Sequence, residues 1–151
     1  MKIRLLLPIL ALVLLAFTLP SKKKKEQTNK PLIETHWGLK QIFGEEIPVL
    51  EKAPFIVFDV EGNYHGYLGC NNFFGKYFCK QKSISFYYDG ATKKLCFNNM
   101  EVEKQFLTAL KSEIKTYVIT NDTLVLFNSK SKEVLRFEAG TASVLEPESA
   151  Q

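Results

Sequence analysis

The sequence predicts a mainly β protein (α+β in class) with about eight short antiparallel strands in a curled sheet or barrel and one helix packed on it. From residue 35 onward, short runs rich in β-branched and aromatic residues alternate with turn residues. One segment, beginning near residue 98, instead has the spacing of an amphipathic helix. Because successive hairpins leave exposed edges unless the sheet closes, a barrel or strongly curled sheet is expected.

The predicted strands are separated by turn signals. The run 55–60 is almost continuously apolar, which is typical of a strand covered on both faces. Residues 71–75 are expected to form a tight connection, and Asn121-Asp122 a two-residue hairpin turn. Gly66 and Gly69 remove side chains from their strand, which indicates a bend, a bulge or the close approach of another element. The eight predicted strands are residues 37–42, 55–60, 64–70, 76–80, 83–87, 114–120, 123–127 and 134–137.

The helix is predicted from its cap and its apolar stripe. Asn98 is a good N-cap residue, and Glu101 three positions later completes a pattern that resembles a capping box. Glu103 lies near the edge of the stripe. The stripe consists of Val102, Phe106, Ala109 and Leu110. This spacing predicts about three helical turns with one apolar face on the sheet.

Composition and charge limit the class of protein. Apolar residues make up 46% of the chain and charged residues 24%, which is the balance of a globular protein. Residues 1–30 contain seven of the 20 basic side chains and one of the 16 acidic ones, which leaves 13 against 15 in residues 31–151. A slightly acidic folded part does not predict a nucleic-acid partner.

The N-terminal residues resemble an export signal. Lys2 and Arg4 precede an apolar run from Leu5 to Pro20, which is the pattern of a secretory signal peptide. The lysines at 22–25 oppose translocation, so an uncleaved anchor is the alternative. We expect residues 1–21 to be a signal peptide or anchor, 22–34 a Lys-rich linker, 35–138 the folded domain and 139–151 a disordered tail.

These features predict a location in the periplasm or cell envelope. Residues 1–25 are expected to provide any membrane association, including contact with anionic headgroups. The first cysteine is Cys70, so the leader has no lipobox and a lipoprotein is not expected.

The cysteines and histidines do not suggest a reactive centre. An exported protein with Cys70, Cys79 and Cys96 is expected to pair two of them and to leave one thiol. His36 and His65 are the two histidines, and His65 with Cys70 is too thin a cluster for a four-ligand zinc site, so no metal or cofactor is expected. His65 and Cys70 are five residues apart, which on an extended strand is about 17 Å, with the side chains on opposite faces. The sequence therefore predicts no enzyme.

Aromatic side chains are concentrated between residues 64 and 88. They either line a cavity for a small apolar ligand or fill a barrel core, and the second interpretation is favoured. The residues are Tyr64, Tyr67, Phe73, Phe74, Tyr77, Phe78, Phe86, Tyr87 and Tyr88.

Residues 69–77 read Gly-Cys-Asn-Asn-Phe-Phe-Gly-Lys-Tyr, which resembles the signature of the META/HslJ domain family. Residues 37–39, Trp-Gly-Leu, are similar to the family's opening strand, and residues 92–96, from Thr to Cys, to the element before its helix. The motifs occur in the family's order over residues 35–138. The matching positions are Trp37, Gly69, Asn71, Asn72, Gly75, Tyr77 and Thr92.

The resemblance implies a small lipocalin-like barrel with one helix. It also implies a bacterial envelope protein of the kind associated with heat shock or antibiotic stress, without established catalytic residues. We hypothesise that Cys70 pairs with Cys96 in a 27-residue loop, and Cys70–Cys79 is the alternative pairing. The expected function is that of a non-enzymatic envelope protein with a role in stress response or envelope integrity. The alternative is a lipocalin-like carrier of a small apolar ligand.

Overall fold

The computed structural model describes residues 28–96 and 100–140, which form nine strands and one helix. The predicted leader, most of the predicted C-terminal tail and the predicted N-cap Asn98 lie outside these residues. The strands are β1 (Trp37–Ile42), β2 (Glu45–Glu46), β3 (Phe55–Phe58), β4 (Asn63–Tyr67), β5 (Asn72–Lys80), β6 (Ser83–Ala91), β7 (Ile114–Thr120), β8 (Thr123–Asn128) and β9 (Glu133–Ala139), and the helix is α1 (Met100–Lys111).

The sheet closes on itself. From β3 to β9, strands that follow one another in sequence are antiparallel neighbours. β1 pairs with β3 on one side and with β9 on the other, so eight strands form a closed barrel. The two-residue β2 is an additional strand beside the end of β1. Closure leaves few free edges, and the predicted mainly β barrel with one helix is confirmed.

The pairing between β6 and β7 is short. These strands are joined at Ser83 and Thr116, near the start of β6. Further along β6, the helix lies beside the strand, and Lys111 Nζ is 4.8 Å from the centre of the Tyr88 ring. The helix also contacts β1 and β9, so it packs against strands from opposite sides of the barrel.

The interior is filled with apolar side chains from all eight barrel strands and from α1. The largest fully buried side chains are Trp37, Tyr64, Phe58, Phe73, Phe106, Phe137, Ile56, Leu68, Ile84, Leu124, Leu126 and Leu135. Burying each one stabilises the fold by about 2 kcal/mol before the entropy of ordering the chain is subtracted. One continuous core thus holds the barrel together.

The helix buries the predicted stripe. Its buried residues are Val102, Phe106, Ala109 and Leu110, and its 12 residues correspond to about three turns. The Phe106 ring centre lies 5.1 Å from that of Phe73 and 6.4 Å from that of Phe137. Since Phe73 and Phe137 come from β5 and β9, this ring links distant strands.

The prediction of a tight connection at residues 71–75 is wrong, because β5 already begins at Asn72, which pairs with Tyr67. The connection is shorter and is made by residues 68–71. The Leu68 amide donates to the Asn71 carbonyl at 2.9 Å, and Gly69 has φ of 98°. A left-handed glycine lets the chain reverse within these few residues.

Gly75 and Gly66 lie inside strands at points of close approach. A Cβ atom on Gly75 would be 2.2 Å from the Tyr87 carbonyl oxygen and 2.5 Å from Tyr64 Oη. A Cβ atom on Gly66 would be 2.0 Å from the Phe55 carbonyl oxygen. Of the alternatives for Gly66, the close approach of another element is the one observed.

Several predicted boundaries shift by a few residues. β3 ends at Phe58 because Asp59 starts a turn, in which Asp59 Oδ1 accepts from the Asn63 amide at 2.8 Å. Glu45–Glu46, which lies outside the eight predicted strands, pairs with β1. Ala139, expected in the tail, pairs with Trp37 at the end of β9.

Candidate functional site

The connection between β4 and β5 is tied to the loop that follows β6. A disulfide joins Cys70 to Cys96, with 5.9 Å between their Cα atoms, which is the pairing hypothesised from the sequence. Cys79, the third cysteine, is a free thiol. We call this tied region, with Asn71, Thr92 and Glu103, the clip.

Asn71 is the centre of the clip. Its side chain is 5% exposed, and its Nδ2 donates to both carboxylate oxygens of Glu103, at 3.0 and 3.1 Å. Its Oδ1 accepts from Thr92 Oγ1 and from the Lys94 amide, each at 2.7 Å. A buried amide so fully bonded fixes the geometry of its neighbours, and leaving these groups unsatisfied costs about 1–3 kcal/mol.

Two hydrogen bonds between Thr92 and Asn72 extend the clip into the start of β5. The Asn72 amide donates to Thr92 Oγ1 at 3.2 Å, and the Thr92 amide donates to the Asn72 carbonyl at 2.9 Å. The two sequence elements that resemble the family's motifs, residues 69–72 and 92–96, are therefore one structural unit. Its chemistry is mutual hydrogen bonding between its own groups.

The other family-motif residues lie in the barrel rather than in the clip. Trp37 is fully buried, and its Nε1 donates to the Leu32 carbonyl at 2.9 Å. Tyr77 Oη donates to the Asp59 carbonyl at 2.7 Å. Gly75 makes room for the Tyr64 ring. These residues shape the core and close the turns around it.

Glu103 is the residue that sequence reasoning missed. In the sequence, Glu103 is a charged residue near the edge of the helix stripe. In the fold, Glu103 is half-buried and accepts from the side chain and backbone amide of Asn71. A carboxylate at the border of an apolar stripe was the available signal, but its partner is 32 residues away.

An open cleft of about 420 Å³ lies beside the clip. Its lining combines two lysines and two glutamates, so its charges balance. The lining residues are Asn71, Lys94, Met100, Glu101, Glu103 and Lys104. Because Asn71 is already fully bonded within the clip, the cleft offers mainly flexible surface side chains to any ligand.

Groups that could react are kept apart. Cys70 is in the disulfide, whereas His65 is exposed on the outside of β4. In the part of the chain that the structure describes, no three residues among His, Cys, Asp and Glu come together to hold a metal ion. Near the other end of the barrel, Cys79 Sγ is 3.6 Å from Tyr117 Oη, and burial raises the pKa of Tyr117 to about 12.

The aromatic cluster divides into an inner and an outer set. Tyr64 Oη donates to the Tyr87 carbonyl at 3.3 Å, and burial raises the pKa of Tyr64. The Tyr64 ring centre is 5.7 Å from that of Phe73 and 5.5 Å from that of Phe86. Such spacings mean that the inner rings contact one another. Phe74, Phe78 and Tyr87 face outward and are mostly exposed.

The fold and the clip define a class: closed eight-stranded antiparallel barrels that are filled by side chains, packed against one helix and cross-linked beside that helix. The META domain model matches residues 30–141. The chain belongs to the META domain family.

Solved structures share this fold. An NMR structure of a protein from Burkholderia xenovorans has a TM-score of 0.57 and 24% identity, covering 73% of this chain and 84% of that one. A crystal structure of a DUF4847-family protein from Bacteroides vulgatus has a TM-score of 0.50 and 15% identity, covering 58% and 59%. No curated protein matches the sequence significantly. Among the described residues, no helix is both long enough and apolar enough to cross a bilayer.

Proposed function

We propose that this chain is an exported, non-enzymatic META-domain protein of the bacterial cell envelope, with a role in envelope integrity under stress. The observation that carries the proposal is the Cys70–Cys96 disulfide within the family motif. Disulfides form and persist in oxidising compartments outside the cytoplasm. The leader-like residues 1–21 support the same location.

A role without catalysis is supported by the way the clip uses its polar groups. Asn71 and Thr92 bond with each other and with Glu103 or nearby backbone atoms. Catalytic groups instead need a free lone pair or proton aimed at a substrate. The clip holds α1 and β5 together, and the protein acts through its outer surface.

The alternative, a carrier of a small apolar ligand, has weaker support. The inner aromatic rings contact one another, and Phe106 of α1 fills the space between β5 and β9. A carrier would need these side chains to leave room for its ligand. Native mass spectrometry of protein purified from its source tests this alternative, since a carrier would show a co-purifying mass.

The proposal is tested by deleting the gene in the source bacterium and measuring tolerance to heat and to antibiotics that act on the envelope. We expect lower tolerance, restored by the wild-type chain and by the Cys79→Ser variant. The double variant Cys70→Ser/Cys96→Ser should restore it poorly at high temperature.

Thiol trapping and the mature N-terminus provide an independent measure of location. We expect one blocked cysteine pair and a periplasmic or membrane-associated protein in cell fractions. Unchanged tolerance in the deletion strain, or a reduced Cys70–Cys96 pair in cytosolic fractions, would contradict the proposed function.

A further inference from the structure

The outer side of β5 alternates aromatic and basic side chains. Phe74 and Phe78 are 52% and 65% exposed. Lys76 lies between them along the strand, and Lys80 follows Phe78. Tyr87 of β6, 64% exposed, is paired with Lys76. We call these five residues the basic–aromatic face. Large exposed apolar groups on a soluble domain mark an interaction surface when they lie together.

The strand register shows that these residues share one surface. Phe74 is paired with His65 on one side and with Gly90 on the other. A Cβ atom on Gly90 would lie 3.4 Å from Phe74 Cζ, so the Phe74 ring covers the glycine. Phe78, four residues along the strand, is about 13 Å from Phe74. The rings are therefore spread over the length of the strand.

The described acidic groups near this face form no ion pair with its lysines. The outward positions of β3 to β5 contain no aspartate or glutamate. Asp59 follows β3, and its Oδ2 accepts a hydrogen bond at 3.0 Å from Nδ2 of Asn63, the residue that is paired with Lys76. Asp89 in β6 is exposed and lies at the bulge, without a partner in β5. Among the described residues, neither Lys76 nor Lys80 has a carboxylate within salt-bridge distance.

The described chain begins at the same end of the barrel as part of this face. The Lys30 amide donates to the Asn121 carbonyl at 2.9 Å, so the described chain enters beside the β7–β8 turn. The Tyr117 amide donates to the Lys82 carbonyl at 3.0 Å, which places the β5–β6 turn at that end too. The preceding sequence contains the apolar run 5–20 and the lysines 22–25.

We infer that the basic–aromatic face binds the surface of an anionic lipid bilayer. The inference rests on the proposed envelope location, which would place the folded domain beside such a surface. Exposed phenylalanine rings enter the boundary between headgroups and acyl chains, and each lysine near an anionic surface contributes about 1 kcal/mol. A tether at residues 1–25 would keep this face close to the bilayer.

Other occupants fit the face less well. A second copy placed face to face would set Lys76 and Lys80 against their own counterparts, which is electrostatically unfavourable. Single-stranded nucleic acid uses a groove in which successive bases stack on aromatic rings. Here the rings stand on the convex outside of a barrel, and the face carries two lysines.

The test uses full-length variants that carry a tryptophan on one face. Phe78→Trp reports on the basic–aromatic face, and Val118→Trp, at a position that is 41% exposed, reports on the outside of β7. The native Trp37 is fully buried and gives a constant background. All variants carry the same leader, so binding through residues 1–25 alone cannot distinguish them.

With vesicles of phosphatidylglycerol and phosphatidylcholine, we expect the emission of Phe78→Trp to move to shorter wavelength and that of Val118→Trp to stay unchanged. Phe74→Trp is a second reporter, in case Phe78→Trp folds poorly. With phosphatidylcholine alone, the shift of Phe78→Trp should be much smaller.

Charge is tested in the Phe78→Trp background. Lys76→Gln/Lys80→Gln should weaken the docking equilibrium by about thirty-fold. Lys130→Gln/Lys132→Gln, which removes the same charge from the exposed β8–β9 turn, should change it less than about three-fold.

Equal shifts at positions 78 and 118, no shift at 74 or 78, or equal loss in both lysine pairs would overturn the inference. A shift that appears with rising protein concentration and no lipid would identify a second copy as the occupant. A shift with single-stranded oligonucleotide in place of vesicles would identify nucleic acid instead. None of these outcomes bears on cellular location or stress tolerance, so failure here is separable from failure of the proposed function.

Discussion

The two halves of the barrel differ in whether the charged side chains on their outer surfaces form ion pairs. On β1 and β9, Lys40 Nζ lies 3.2 Å from Glu138 Oε2, and Arg136 is paired with Glu133. On β3 to β6, the outward positions carry lysines that form no ion pair and several exposed aromatic rings. The core contributions of the two halves are alike, since both bury aromatic and aliphatic side chains in one interior.

This difference separates stability from function. A fold needs its inner positions filled, but it does not need exposed phenylalanines or lysines without an ion-pair partner. Where outer charges are paired within a single half, they contribute modestly to stability. Where they form no ion pair and lie beside exposed rings, they favour an external partner.

The largest expected effect concerns close packing beneath the basic–aromatic face. Gly75→Ala should destabilise the protein by about 3 kcal/mol or more, because its Cβ atom would be 2.2 Å from the Tyr87 carbonyl oxygen. Gly38→Ala in β1 is the matched control, since its Cβ atom would be 3.6 Å from the nearest atom. The control should change the free energy of unfolding by less than about 1 kcal/mol, as measured by urea denaturation. Equal effects would show that both halves have the same tolerance at glycine positions.

The next effect concerns the disulfide, which is present in only one half of the barrel. The Cys70–Cys96 disulfide, with a sequence separation of 26, should contribute about 3 kcal/mol by constraining the unfolded chain. The Cys70→Ser/Cys96→Ser variant should be less stable by that amount, and its free energy of unfolding, measured by urea denaturation, should no longer depend on reductant. Cys79→Ser should unfold like the wild type within about 1 kcal/mol, and a large loss there would mean that the free thiol has a structural role.

A smaller, pH-dependent effect comes from Tyr64. Burial raises its pKa above the ordinary value of 10, so the folded state keeps the proton that the unfolded chain releases. The stabilisation is fully present below pH 10 and is lost as the pH rises further, by up to about 1.4 kcal/mol per pH unit. Tyr64→Phe should flatten this decline in alkaline urea titrations, whereas Tyr87→Phe, at an exposed position, should leave it unchanged.

The smallest effect compares outer charges directly. Arg136→Met should cost about 1 kcal/mol or less and should lose its effect in high salt, because Arg136 Nε donates to Glu133 Oε1 at 2.8 Å. Lys76→Gln should leave the unfolding free energy unchanged within about 0.3 kcal/mol, since no described carboxylate pairs with it. A comparable loss for Lys76→Gln would remove the contrast between the two halves.

Prediction from sequence worked where a local pattern decides the structure. The bounds of β1 and β7 and the buried stripe of α1 agree with the alternation and helical spacing of their residues. The Asn121-Asp122 turn also forms as expected, with Asn121 at φ of 56°. These features depend on neighbouring residues, so the chain itself contains their signal.

Prediction was wrong or incomplete where a distant residue decides the structure. Gly75 looks like a turn residue, but it lies in a strand because the Tyr64 ring needs the space. Glu103 looks misplaced on its helix until Asn71 is seen beside it. The division of the nine aromatic residues into inner and outer sets depends on the strand register. The predicted start of β5 is too late, so the sequence alone could not assign these residues to the two faces.

The sequence by itself determined the class of fold, the number and order of most strands, the single helix and the family, because each follows from periodicity or from contiguous motifs. Only the tertiary structure decided which lysines find carboxylates, which rings reach solvent and which side chains bond Asn71. The physical reason is that burial and electrostatic pairing depend on distances through space, and closure of the barrel brings together residues that are far apart along the chain.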